Sequence, residues 1–485
     1  MASLDAASAP VPHSAVRHRP VRKGIDAATQ IRIDAGLMAG RLAWPVRIYL
    51  FCLVFSVWFY AGPLLLSSLR LFLLVMILPL IFQLLTGRMG RVILPDILFV
   101  AHIGWATIAL AITNPAQVVA QMGSVGIEFL GGYFLARAYI RRAEDFLALG
   151  RWLVAIVICL TPFALFETLT GRPPIIEMIR ALPGVSGVEI VNIDRRLGLE
   201  RVQAVFAHPI HFGLFCSVAL SIAFVAMKGV ISTTWRWLSA AIVGATGFLA
   251  LSSGALLAMI MQAGLIAWAT VFDRIAWRWW LLVGLAALAY VVVDVLSMRT
   301  PIEVFFSYAT FSAHNAYWRG MIFEWGIANV LGSAEKDIPA SPWIGIGLND
   351  WIRPWFMGSS SVDNFWLLMA MRYGMPGFLL LALGYAWGLT LAMRRDLTAD
   401  PVLSQIRRAW VFTFVGLTFT LSTVHVWTSI YSFTFFMFGA GMWLLTARPA
   451  PAAATAAATA GSPAAPPGPR GPRYSRFAPA RQRPD

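Results

Sequence analysis

Arg201, His208, Arg319 and Asp363 are polar groups set in or against strongly apolar sequence, where such groups are costly unless used. Arg201 belongs to Arg195-Arg196-Leu-Gly-Leu-Glu200-Arg201-Val-Gln-Ala-Val-Phe206-Ala-His208-Pro209-Ile-His211-Phe-Gly213, which runs straight into an apolar segment. An unpaired arginine costs roughly 2.5–3.5 kcal/mol at the centre of a membrane helix and less near the interface. A lipid phosphate, Glu200 or an anionic ligand would each offset that cost. His208, before a proline, suits a turn or a helix cap as well as a base, and His211 follows three residues on. Arg319 lies in His314-Asn-Ala-Tyr317-Trp318-Arg319-Gly-Met-Ile-Phe323-Glu324-Trp325. That stretch predicts an amphipathic helix on the membrane surface, with Arg319, Phe323 and Gly326 on one face. A helix anchored by its aromatics, with the arginine merely in water, is equally open. Asp363 closes Ser360-Ser-Val-Asp363, a capping pattern for the helix that follows. The same geometry would put a carboxylate and free backbone N–H groups at the mouth of a site, where anions also bind.

These residues sit in two polar interruptions, about 169–207 and 298–362, of a chain built for lipid. Of 485 residues, 59% are hydrophobic and 13% charged, whereas soluble proteins run to about 45–50% and about 25%. A helix needs about 20 apolar residues to cross a bilayer. Twelve such segments can be drawn: 46–62, 65–86, 92–112, 116–138, 146–168, 208–227, 234–251, 253–271, 277–297, 363–392, 407–425 and 427–447. The expected fold is therefore all-α and polytopic, with a large loop between helices nine and ten. Residues 1–45 and 448–485 are basic and low in complexity and should be disordered. No cleavable signal peptide is visible in the polar first 40 residues. The net charge of +15 is concentrated in the tails and in loops such as Arg88/Arg91, Arg141/Arg142 and Arg394/Arg395. This is a topology signal and does not suggest nucleic acid. It places both termini in the cytoplasm and both long loops on the opposite face, the periplasm of a Gram-negative cell. Cys52, Cys159 and Cys216 lie in apolar segments and read as small hydrophobes, with no disulfide framework or metal site.

The stretch Arg201-x-x-x-x-Phe206-x-His208-Pro209-x-x-x-Gly213 resembles a signature of the O-antigen ligase and polymerase superfamily of bacterial envelope polysaccharide synthesis. Similar too are Tyr317-Trp318-Arg319, Ser341-Pro-x-x-Gly345-x-Gly347, and the polar helix start followed by Tyr373-Gly-Met-Pro-Gly377. The likeness covers roughly residues 45–447 and rests on the order of these motifs and their placement on one face. It implies a metal-independent, cofactor-free glycosyltransferase of the bacterial inner membrane. Donor and acceptor would be undecaprenyl-diphosphate-linked glycans, and a polysaccharide copolymerase is a candidate partner. Carried onto this chain, the diphosphate falls to Arg201 and Arg319, with His208, His211, His314, Tyr317 and Asn364 in support. Ligases of the superfamily often have a histidine where this chain has Asp363-Asn364. Ser252-Ser253-Gly254 stands where many relatives place an arginine after the serine.

The chemistry is coherent on its own terms. Outside the cytoplasm there is no nucleotide sugar, so an activated sugar must arrive on a lipid. Its diphosphate leaving group needs cations, and arginine forks supply paired, charge-assisted bonds. Asp363 would take the acceptor hydroxyl's proton as general base, and Trp343, Trp351 and Trp355 offer faces for sugar rings. Exopolysaccharide or O-antigen-type polymerisation is the expected activity. A glycan ligase on the same scaffold is the alternative. A polysaccharide-lipid flippase would instead call for repeated halves and mid-span ionisable residues, of which Glu128 and Glu167 are the main candidates.

Overall fold

A computed structural model describes residues 40–61, 64–309 and 313–448. The expected disordered tails lie outside the described residues except for 40–45 and 448, and Trp44 already begins the first helix. The chain is mostly helical. Among the described residues nine helices are long and apolar enough to cross a membrane. Their outward surfaces carry exposed leucine, isoleucine, valine and phenylalanine, the surface expected of a protein immersed in lipid. Helix α1 is Trp44–Val54, α2 Ser68–Leu85 and α3 Leu94–Thr113. Helix α4, Pro115–Tyr139, contains a π turn at Ile127–Gly131. Then come α5 (Ala143–Thr170), α6 (Pro174–Arg180), α7 (Pro209–Ser221), α8 (Thr233–Phe248), α9 (Ser253–Val271) and α10 (Arg278–Leu296). The second long loop holds α11 (Pro301–Tyr308) and α12 (Ala313–Leu331). The chain ends through α13 (Phe365–Arg394), α14 (Pro401–Leu421) and α15 (Thr428–Gly439).

Three of the twelve expected segments fall outside the nine. The first, 46–62, is not one helix. It ends at Val54 and turns into strand β1, Val57–Ala61, which pairs antiparallel with β2, Leu64–Ser67, and with β3, Ser186–Gly187. The all-α expectation is corrected by this small sheet. Its cause is the aromatic and β-branched run at Val57-Trp58-Phe59, which favours a strand over a helix. The pairing of Val57 and Trp58 with Gly187 and Ser186 ties the first long loop to the start of the bundle. The other two segments are helical: α8 is shorter, with 16 residues, and α14 carries Arg407 and Arg408.

The expected tenth span is also re-drawn. Helix α13 has 30 residues but breaks at Gly374, whose φ of 68° and ψ of 178° are not helical. Pro376 cannot donate in the next turn. The part beyond the break, 375–394, is long enough to cross a bilayer at about 1.5 Å per residue. The part before it, 365–373, is helical but too short to cross by itself. The break frees the carbonyls of Met371 and Arg372. They accept bonds from the Ile346 and Gly347 amides at 2.7 and 3.1 Å, while the Met375 amide donates to Pro342 at 2.7 Å. A side chain on Gly374 would strike the Trp343 carbonyl, and one on Gly345 would meet the Met371 carbonyl at 2.5 Å. Two glycine motifs some 30 residues apart are thus halves of one joint.

Candidate functional site

One end of the bundle holds a cavity of about 340 Å³ into which both long loops deliver side chains. Arg196 and Arg201 come from the first loop, Trp318 and Arg319 from α12, and Asp363 from the approach to α13. Ser252, Ser253, His425 and Trp427 close it from helix ends. Three guanidinium groups and one carboxylate line it.

The loop around Arg201 is clamped at its backbone. Glu167, in the last turn of α5, accepts the Gln203 amide at 2.7 Å and the Ala204 amide at 3.0 Å. Thr168 Oγ1 donates to the Glu200 carbonyl at 2.8 Å, and the Val202 amide reaches Leu249 at 3.1 Å. Ala204 is held at a φ of 54°, a conformation that only surrounding constraint sustains in a non-glycine residue. Arg196 donates to the Leu251 carbonyl at 2.8 Å. Glu167 therefore positions the loop. Glu128 pairs with Arg70 at 2.7 Å. Glu167→Ala strands two buried N–H groups and is expected to cost about 3 kcal/mol of stability. Thermal unfolding of the purified protein measures it, and Glu167→Gln, which keeps an acceptor, should cost less.

Helix α12 aims Arg319 into the cavity because the next turns of the same face are fixed. Phe323 lines an apolar groove with Trp366 and Leu367, and a side chain on Gly326 would meet Leu367 at 2.6 Å. Arg319 Nη2 lies 3.5 Å from Ser253 Oγ, a long contact. Gly254 beside it packs so tightly against Val424 that no side chain fits there.

Arg201 Nε and Arg319 Nη1 are both buried and make no hydrogen bond. Burial pulls each guanidinium down to about 10; Arg196 adds to this for Arg201, while Asp194 opposes it. For Arg319, Asp363 opposes it and Arg196 adds to it. Both remain cations at neutral pH. Unpaired buried N–H groups on cations are among the most costly features a fold can hold, and an anion would satisfy both.

Asp363 is not the helix cap. Asn364 takes that place, its Oδ1 accepting the Leu367 amide at 3.0 Å, so the helix starts four residues later than a Ser360–Asp363 capping box would set it. The Asp363 carboxylate accepts Ser361 Oγ at 2.9 Å and otherwise faces the cavity and Arg319. His208 does cap: its Nδ1 accepts the Ile210 amide at 3.1 Å, which fixes the neutral tautomer with the proton on Nε2.

The other expected residues fall elsewhere. His211 is buried edge-on against Trp427 with neither ring nitrogen bonded. His314 is exposed and accepts Trp318 Nε1 at 2.7 Å; Tyr317 is exposed beside it. Of the three tryptophans offered for sugar rings, Trp351 is buried and bonded to the Ser360 carbonyl, whereas Trp343 and Trp355 are exposed. Sequence reasoning passed over Arg196, Asn315, His425 and Trp427 as cavity residues. The polar break His425-Val-Trp427 between two apolar runs was the available signal for the last two. Among the described residues no group of three His, Cys, Asp or Glu side chains is placed to hold a metal. No protein-family model matches the chain, and no curated protein matches it significantly.

Proposed function

We propose that the protein is a glycosyltransferase of the bacterial inner membrane that polymerises lipid-linked glycan repeat units on the periplasmic face. One observation carries the reading: two half-buried arginines, 118 residues apart in sequence, line one cavity with a carboxylate, and each keeps a buried nitrogen without an acceptor. A diphosphate diester, a dianion at neutral pH, suits a cavity where Arg201 and Arg319 each keep an N–H without an acceptor. In this reading the first apolar segment crosses as α1 continued by β1, the other eleven cross as helices, and both termini are cytoplasmic. The arginine-rich short loops then fall on the cytoplasmic side.

The transfer follows from the residues. Asp363 takes the proton of the acceptor hydroxyl, and the oxygen attacks the donor's anomeric carbon. The bond from that carbon to the diphosphate oxygen breaks with inversion. The negative charge left on the diphosphate is held by Arg201 and Arg319. Asp363 then passes its proton to water.

Deleting the gene and isolating the cell's glycan tests the class of reaction. Single lipid-linked repeat units in the periplasm are the expected result. Long polymer left on its carrier would replace polymerisation by ligation, and repeat units confined to the cytoplasmic leaflet would indicate a flippase.

A pH dependence follows as well. Binding needs the charged arginines, and their lowered values lie near 10. Affinity for undecaprenyl diphosphate should be flat from about pH 7 to 9 and fall above about pH 10. A loss centred near pH 7 would assign the anion to a histidine instead.

A further inference from the structure

A second polar chamber, of about 190 Å³, adjoins the first. His425 and Trp427 line both, their rings stacked 5.7 Å apart, so they form the wall between the two. The second chamber is walled by α4, the pre-break part of α13 and the start of α15. Arg372 and Arg70 supply its cations. Glu128 neutralises Arg70 at 2.7 Å, but among the described residues no carboxylate lies within ion-pair distance of Arg372. The chamber thus keeps one excess positive charge. Two polar groups of its lining residues are unused: the buried Tyr431 hydroxyl and His425 Nδ1 have no hydrogen-bond partner. Gln121 and Ser124 add polar groups that suit an oxygen-rich ligand.

We infer that this chamber binds the phosphorylated headgroup of a second polyprenyl lipid, the carrier of the acceptor, beside the donor's site. The inference rests on the polymerase reading, because joining two lipid-linked repeat units needs two carriers at once. The chemistry points the same way: an arginine without a carboxylate, lining a polar chamber, calls for a phosphate. The donor's reacting carbon lies next to its own diphosphate, whereas the acceptor's hydroxyl lies at the far end of its glycan. The acceptor glycan would therefore arch over the His425–Trp427 wall to reach Asp363.

The test is the stoichiometry of undecaprenyl diphosphate bound to the full-length protein in nanodiscs of zwitterionic lipid, read by native mass spectrometry. The wild type should bind two equivalents. Arg372→Gln should lose one and keep the one that Arg201→Gln loses, and Arg372→Lys should recover part of the loss. Each variant's thermal unfolding is recorded, so that a misfolded Arg372→Gln is recognised; Tyr431→Phe, a milder change, should then weaken the second equivalent at least threefold. A single equivalent in the wild type, sensitive to Arg201 and indifferent to Arg372, would overturn this inference and leave the first reading standing. Binding indifferent to Arg201 and Arg319, or no binding, would sink both. A second equivalent displaced by phosphatidylglycerol at comparable concentration would make the chamber an ordinary phospholipid site and also overturn the inference.

Discussion

Arg319→Lys should cut glycan transfer about 100-fold, because lysine keeps the charge but loses the planar fork that grips two phosphate oxygens. Arg201→Lys should do the same. If both guanidinium groups hold one diphosphate, their effects cannot add. The double variant should be little worse than either single one, with a coupling energy above about 1 kcal/mol. Stability should move the other way. Each arginine carries a buried N–H with nothing to donate to, so Arg319→Gln should leave the ligand-free protein as stable as the wild type or more so. An arginine that merely snorkels to lipid phosphate would predict near-normal transfer. One that braces the fold would predict lowered stability. Turnover and thermal unfolding of the same purified variants separate the three cases.

Asp363→Asn should lower kcat about 10²- to 10⁴-fold, the usual worth of a general base, and leave the affinity for donor unchanged. The position of the helix cap makes this test clean. Because Asn364, not Asp363, accepts the first free amide of α13, the helix start survives the substitution. Asn364→Ala is the control: it should cost about 1 kcal/mol of stability and much less activity. Were Asp363→Asn to retain full activity, the carboxylate would serve only to tune the field around Arg319.

How far the site could be read from the sequence differs from residue to residue. Arg201 and Asp363 were legible as ionisable groups at the edge of an apolar run, and Arg319 as the cation on one face of an amphipathic, aromatic-rich helix. Their convergence in one cavity was legible only as a consequence of placing two loops on the same face. The wall residues His425 and Trp427 were hidden because a short polar break between two apolar segments looks like any turn. The strand Val57–Ala61 was misjudged as part of a helix because hydropathy alone does not distinguish a short apolar strand from a helical span. Gly374 and Pro376 were visible in the sequence. That they stop one helix and dock onto Gly345 and Gly347 is a tertiary fact, carried by carbonyls that no residue pattern exposes.

The most direct test of the account is a cryo-EM structure of the full-length protein in nanodiscs with undecaprenyl diphosphate. The account predicts phosphate density between the two loops, with oxygens within hydrogen-bonding distance of Arg201 Nε and Arg319 Nη1. Diphosphate bound elsewhere, with those two nitrogens still unpaired, would contradict it.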